Sequence, residues 1–377
     1  MIEEFLESVG LTNFVFIIVG LALLIVVILF MSYYRTIISI ANFTYPNAVF
    51  RSTGNPYLKR EKISDMIDRG NLNEIYSELE KDGYEIPKDI RDDIEKIESE
   101  FEEKTVQFVK KAYDSSPDEI KQFTRAWMAK YDVKMAKRAL KAMGEGQNED
   151  LESKLYPVKE IDQEVIDDLI SARNIQETLS ILKETDLGEA LEKKEWKGRY
   201  FELDVALDKY QFKKIKKGMS KVEADQKAPV QYFFGRYTDL WNIKIIIRGH
   251  REEIEEEKLK DALLPQGREL ADWKLEEMAE AKNLDEALIQ LEGTSYEDIR
   301  KKMQSDQKFD FEKYLDEKLL KMTVELTNQY VLTVGPTLKY LVGKEFELRN
   351  IRALIRGIKE NVDPKRIEEL MILEDNI

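Results

Sequence analysis

The sequence predicts an all-α protein: three similar helical subdomains preceded by one N-terminal transmembrane helix. Three observations carry this reading. Residues 14–31 read FVFIIVGLALLIVVILFM and contain no charged side chain. Beyond residue 60 the apolar side chains recur at helical spacing, and Pro87, Pro117, Pro157, Pro229, Pro265, Pro336 and Pro364 fall between the periodic runs. A pattern of one acid followed by two bases on one helix face occurs three times at a nearly constant interval.

The chain opens with a short acidic tail, residues 1–11, carrying Glu3, Glu4 and Glu7. The transmembrane helix is placed at 12–34. Eighteen uncharged residues at 1.5 Å each reach roughly 27 Å, and Tyr33 and Tyr34 carry the span to headgroup level. A signal peptide is the alternative, but the acids ahead of the apolar run and the lack of a small-residue cleavage site disfavour it. Arg35, Lys59 and Arg60 lie on the C-terminal side and no base lies on the N-terminal side. The positive-inside bias therefore places residues 35–377 in the cytoplasm and the N-terminus outside, at the cell membrane. Residues 35–48, with Pro46, read as a linker, and Gly54 and Pro56 follow it.

Three repeats of one unit fill the remainder, at 49–153, 154–258 and 259–377. In each, the long second half carries the acid and its two bases: Asp132 with Lys137 and Lys141, Asp239 with Lys244 and Arg248, Glu347 with Arg352 and Arg356. The acids are 239 − 132 = 107 and 347 − 239 = 108 residues apart. Each unit opens with a helix, a break and a second helix that starts at an Asn-(Leu/Ile)-x-Glu cap: Asn71 with Glu74, Asn174 with Glu177, Asn283 with Glu286. Asparagine at the N-cap accepts from the N3 amide, and the glutamate is expected to reach back to the cap's own amide. Leu79, Leu182 and Leu291 follow the caps by eight residues, and Met66, Leu169 and Met278 precede them by five. Between cap and acid lies a third mark: Glu98-Phe101-Glu102, Asp204-Leu207-Asp208 and Glu312-Leu315-Asp316. The charges read as helix-terminal charges and inter-helix pairs.

Composition excludes several chemistries. With no cysteine there is no disulfide, thiolate ligand or cysteine nucleophile, and the single histidine, His250, lies in a charged stretch without a partner for a metal. Neither GxxxxGK[ST], GxSxG nor HExxH occurs. A net charge of −15 argues against a nucleic-acid binder and suits basic patches on partner proteins. The basic run Lys213-Lys214-Ile215-Lys216-Lys217 reads as a solvated helix face. No catalytic residue, cofactor site or metal site is expected.

Tyr45-Pro46-Asn47-Ala48-Val49-Phe50-Arg51, the aromatic-rich acid helices and above all Lys344-Glu345-Phe346-Glu347-Leu348-Arg349-Asn350-Ile351-Arg352 resemble the C subunit of archaeal A-type ATP synthases, in the family that includes the 39-kDa d subunit of V-type ATPases. The resemblance runs from Tyr45 to the C-terminus and is specific at 344–357. It implies an all-helical funnel of three subdomains around a pseudo-threefold axis, without catalytic residues of its own. The funnel would seat on the membrane proteolipid rotor ring and hold the central-stalk subunits of D and F type, so coupling proton or sodium translocation to ATP synthesis. The family pattern does not require the N-terminal membrane helix; on a rotor subunit that helix is expected in the lumen of the ring. The rival reading is a membrane-anchored helical-repeat adaptor without a rotary role.

Overall fold

The computed structural model describes residues 11–146, 151–192, 194, 200–306 and 309–376. Of the acidic tail expected at 1–11, residues 1–10 lie outside them. Among the described residues there is no β-strand. The principal helices are α1 (Leu11–Thr53); α2 (Arg60–Arg69), α3 (Leu72–Lys81), α4 (Ile94–Ser115), α5 (Asp118–Trp127) and α6 (Ala129–Glu145); α7 (Gln163–Ser171), α8 (Ile175–Glu184), α9 (Phe201–Ser220) and α10 (Ala224–Arg251); α11 (Asp272–Glu280), α12 (Leu284–Ile289), α13 (Phe311–Gln329), α14 (Gly335–Lys359) and α15 (Pro364–Leu370).

The same order recurs three times: two short helices form a head, a long helix follows, and a second long helix carries the acid and bases. In the first unit that last helix is interrupted at Met128, between α5 and α6. The head marks are all core. Met66, Leu79, Leu169, Leu182, Met278 and Leu291 are fully buried, as are Phe101, Leu207 and Leu315.

The last helix of each unit packs into the following unit. α6 lies on α8 and α9, α10 on α11, α12 and α13, and α14 on α2, α3 and α4. Leu348, Ile351, Leu354 and Ile355 of α14 share a core with Ile63, Ile75, Leu79 and Phe101 of the first unit. Leu240, Ile243, Ile246 and Ile247 of α10 play the same part for the third unit. Contacts therefore run from first to second to third and back to first, so no unit leaves an apolar head face unmatched. The C-terminal segment reinforces the return. Asn350 exchanges hydrogen bonds with Ile372 (N–H to Oδ1, 3.0 Å; Nδ2 to C=O, 2.8 Å) and donates to Tyr57 C=O at 2.9 Å.

One expectation is corrected. Residues 35–48 are not a linker: α1 runs unbroken for 43 residues from Leu11 to Thr53. Pro46 lies inside it, where the ring costs one backbone bond but is itself buried against the body. Ser39, Phe43, Pro46, Asn47 and Phe50 are buried at helical spacing, and this stripe holds the segment helical. Its stop is Gly54, whose φ of +56° suits glycine and whose N–H bonds Phe50 C=O at 3.0 Å. Every unit grips α1. Asn42 Nδ2 donates to Glu119 Oε1 (2.7 Å), Gln226 Nε2 to Ser39 Oγ (3.0 Å), and Asn47 Nδ2 to Thr333 C=O (3.1 Å). Phe50 stacks on Tyr340 at 4.5 Å. Residues 15–38, by contrast, are exposed, and α1 is the one described helix long and apolar enough to cross a membrane. Pro229 also lies within a helix, early in α10, rather than between runs.

Candidate functional site

In each head an asparagine caps the second short helix. Asn174 Oδ1 accepts from Glu177 N–H and Asn283 Oδ1 from Glu286 N–H, both at 2.9 Å. The glutamates reach one residue further back than expected: Glu177 accepts from Arg173 N–H (2.8 Å) and Glu286 from Lys282 N–H (3.2 Å). Asn71 differs, taking the N2 amide of Asn73 at 2.9 Å, and Glu74 makes no reach-back bond among the described residues.

The three repeated acids are completely buried. Each one fixes the segment that opens or precedes the next unit's head. Asp132 Oδ1 accepts from the backbone N–H of Lys159, Glu160 and Ile161 at 2.9–3.1 Å. Asp239 accepts from Arg268, Glu269 and Leu270 N–H at 2.8–3.2 Å and from Tyr296 O–H at 3.1 Å. Glu347 accepts from Tyr57 N–H (3.1 Å), Tyr84 O–H (2.5 Å) and Lys344 Nζ (2.5 Å). A carboxylate is the one side chain that offers several acceptor sites to converging N–H groups without adding a donor. Asp132 and Asp239 both titrate at about 6. Burial raises them, and the backbone N–H bonds draw them back only in part. Burial likewise raises Glu347 and lowers Lys344.

Gly267 belongs to the second latch. A Cβ there would stand 1.9 Å from Asp239 Oδ1, so the loop closes over the carboxylate only with glycine.

One turn along, the repeated bases cross the same junctions. Lys137 pairs with Asp208 (2.8 Å), Lys244 with Asp316 (2.5 Å) and Arg352 with Glu102 (2.7 Å). Arg248 reaches Glu312 (2.7 Å) and Arg356 reaches Glu98 (2.8 Å). Lys141 breaks the pattern: its nearest acid among the described residues is Glu145 on its own helix, at 4.0 Å, while Asp204 lies 3.8 Å from Lys137 instead. The two arginines carry a longer, forked head across the gap that this lysine does not bridge. The acid marks of the long helices and the bases of the last helices are thus two halves of one ladder. Glu102 also takes Lys134 and Arg138. Burial alone would raise its carboxyl, but those two cations outweigh it and hold it at about 2.

Residues missed from sequence complete the arrangement. Lys130, Tyr237 and Glu345 each stand two positions before the repeated acid, and they meet: Lys130 Nζ lies 2.6 Å from Glu345 and 5.9 Å from the Tyr237 ring centre. Their shared register is a usable signal; their differing chemistry hides it. Asn242 and Asn350, three positions after two of the acids, are a second such signal. Asn242 Nδ2 donates to Leu264 C=O at 2.7 Å.

No group of acids or histidines among the described residues is arranged to hold a metal ion. His250 is occupied by Met278 C=O at 2.8 Å. The arrangement does mechanical work: it locks three units to one another.

Residues 46–370 match the profile of the family described as ATP synthase (C/AC39) subunit. The C subunit of the A-type ATP synthase of Methanocaldococcus jannaschii is 28% identical over 353 residues, covering 90% of this chain and 88% of that protein. The C subunit from Methanobrevibacter smithii is 27% identical and covers 98% of this chain and 99% of its own length, too much to leave out the apolar part of α1. That of Pyrococcus horikoshii is 26% identical over 87% of this chain and 90% of its own. With its profile matched over most of its length, this chain belongs to the ATP synthase C/AC39 subunit family, whose members are non-catalytic components of the rotary ATP synthase.

Proposed function

We propose that the chain is a central-stalk subunit of the rotor, a helical funnel around a pseudo-threefold axis. It seats on the proteolipid ring, holds stalk subunits of D and F type, and transmits torque between ion translocation and ATP synthesis. The observation that carries this is the cycle of latches. A torque coupling must resist shear, and buried carboxylates plus crossing ion pairs at all three junctions leave no open end at which the units could peel apart. The same closure disfavours the open-array adaptor. The globular part lies in the cytoplasm and α1 anchors it in the cell membrane. Because α1 is one helix gripped by all three units, the membrane segment turns with the body. The position at membrane depth that avoids sweeping through a stator is the ring's central opening, which must admit a helix about 10–12 Å across.

The test is purification of the tagged full-length chain from detergent-solubilised membranes. Nucleotide-binding A and B subunits, D- and F-type stalk subunits and the proteolipid are expected with it; recovery of the chain alone would overturn the reading. With no native cysteine, a single Leu24→Cys reports on the membrane segment. Crosslinks to the ring's inner helices support the lumen position, and crosslinks to stator helices exclude it.

A further inference from the structure

The three junctions carry three grooves at one register, and only one is filled. Its walls are α14 and α4, at Tyr340, seven residues before Glu347, and Phe108 and Lys111, six and nine after Glu102. Here α1 lies in the groove: Phe50 stacks on Tyr340, and Lys111 Nζ donates to Thr53 Oγ1 at 3.4 Å. At the second-to-third junction the same positions are Tyr232, Met322 and Glu325, lining an open cavity of about 430 Å³. At the first-to-second junction they are Arg125, Lys214 and Lys217, lining a cavity of about 230 Å³ that Lys159 and Lys221 also border.

This last groove is electrostatically out of character for a chain of net charge −15. Lys214 is held by Asp186 at 2.9 Å and Lys159 by Glu160, while Asp132 is taken by backbone N–H groups. Arg125, Lys217 and Lys221 have no carboxylate within ion-pair distance among the described residues. All three are solvent-exposed. The Lys159 ammonium is pushed down, by burial first and by Arg125 next.

We infer that the groove between the first and second units is a docking site for an acidic α-helix of a partner protein, whose carboxylates enter the cavity ringed by Arg125, Lys217 and Lys221. The helical form follows from α1, which fills the groove at the same register. The acidity follows from charge complementarity, since three uncompensated bases desolvate favourably only against anionic groups, which on a partner helix are carboxylates. An anionic bilayer is a poorer fit. The helix-hairpin tip nearest the docked part of α1 carries Asp118, Glu223 and Asp225 beside Lys221 and Lys227, all exposed, so it offers lipid no net positive face. This inference does not depend on the rotary reading: it needs a partner helix, whatever assembly supplies it.

The experiment uses the full-length chain in native membranes, with a photo-crosslinking amino acid at Gln122 on the groove wall. Crosslinks mapping to an Asp/Glu-rich helical segment of another protein are the expected result. The pair Lys217→Glu and Lys221→Glu should cut that crosslink roughly tenfold or more. Neither base has an ion-pair partner to lose among the described residues, and the neutral pair Lys217→Gln and Lys221→Gln, which puts no acid at the C-terminal end of α9, should melt with the parent chain and weaken the crosslink in the same direction. Crosslinks only to lipid, no crosslink, or an equal yield from the charge-reversed variant would each overturn the inference. A chain purified without rotary subunits that still crosslinks to an acidic helix would refute the rotor and leave this site standing.

Discussion

Replacing Asp239 and Asp132 each by asparagine should have unequal effects, although both acids occupy the same register. At Asp239 both carboxylate oxygens are engaged: Oδ1 by Arg268 and Leu270 N–H, Oδ2 by Glu269 N–H and Tyr296 O–H. An amide keeps one oxygen and points its NH2 at the other pair of donors. The tyrosine hydroxyl can turn to accept, but the Glu269 N–H cannot. One buried donor left without an acceptor costs about 1–3 kcal/mol, and two charge-assisted bonds become neutral ones, for a total of about 2–4 kcal/mol. At Asp132 all three N–H groups bond Oδ1, and Oδ2 is buried without a partner among the described residues. An amide nitrogen placed there displaces no accepted bond, so the cost should stay below about 1.5 kcal/mol. Urea unfolding at pH 7 measures both, with unchanged m-values as the check that the unfolding unit is the same. Equal costs, or a larger one for Asp132→Asn, would refute the assignment of the bonds.

The same two acids set a pH dependence: their folded pKa of about 6 exceeds the ordinary value of 3.8, so they favour folding at low pH and lose that contribution as pH rises through 6. Between pH 7 and pH 5 each should add about 1 kcal/mol, a gain that Asp239→Asn forfeits, whereas Glu102, held at about 2, costs stability only below about pH 4.5. Gly267→Ala should destabilise by about 2–4 kcal/mol and be strongly non-additive with Asp239→Asn, because the new Cβ and the carboxylate claim the same space. Alanine at Asn71, Asn174 or Asn283 should each cost about 0.5–2 kcal/mol in thermal or urea unfolding. The purified full-length chain should show no saturable ATP binding at micromolar concentrations by calorimetry, given the absence of a phosphate loop.

Much of the unit is legible because its marks repeat. Met66, Leu79 and Phe101 are each an ordinary apolar residue alone; three copies at one spacing identify a head core. What stays hidden depends on contacts between units. Sequence assigns Lys244 and Asp316 to helix faces but cannot say that those faces belong to different units and meet at 2.5 Å. Tyr57, Tyr84 and Lys344 gather on Glu347 from positions more than 250 residues apart as well as from three residues away, and no local pattern encodes that. The linker expectation fails for a local reason. Pro46 reads as a breaker, whereas the stripe Ser39, Phe43, Asn47 and Phe50 around it outweighs one lost backbone bond.

The rotor assignment is tested most directly by watching the protein turn. A single cysteine introduced at the exposed Glu277 of α11, in a chain with no other thiol, carries a bead on the purified complex immobilised through its catalytic subunits. Rotation of the bead on addition of ATP, at the rate of a marker on the central stalk, is the predicted result. A bead that stays fixed while the stalk marker turns would contradict it.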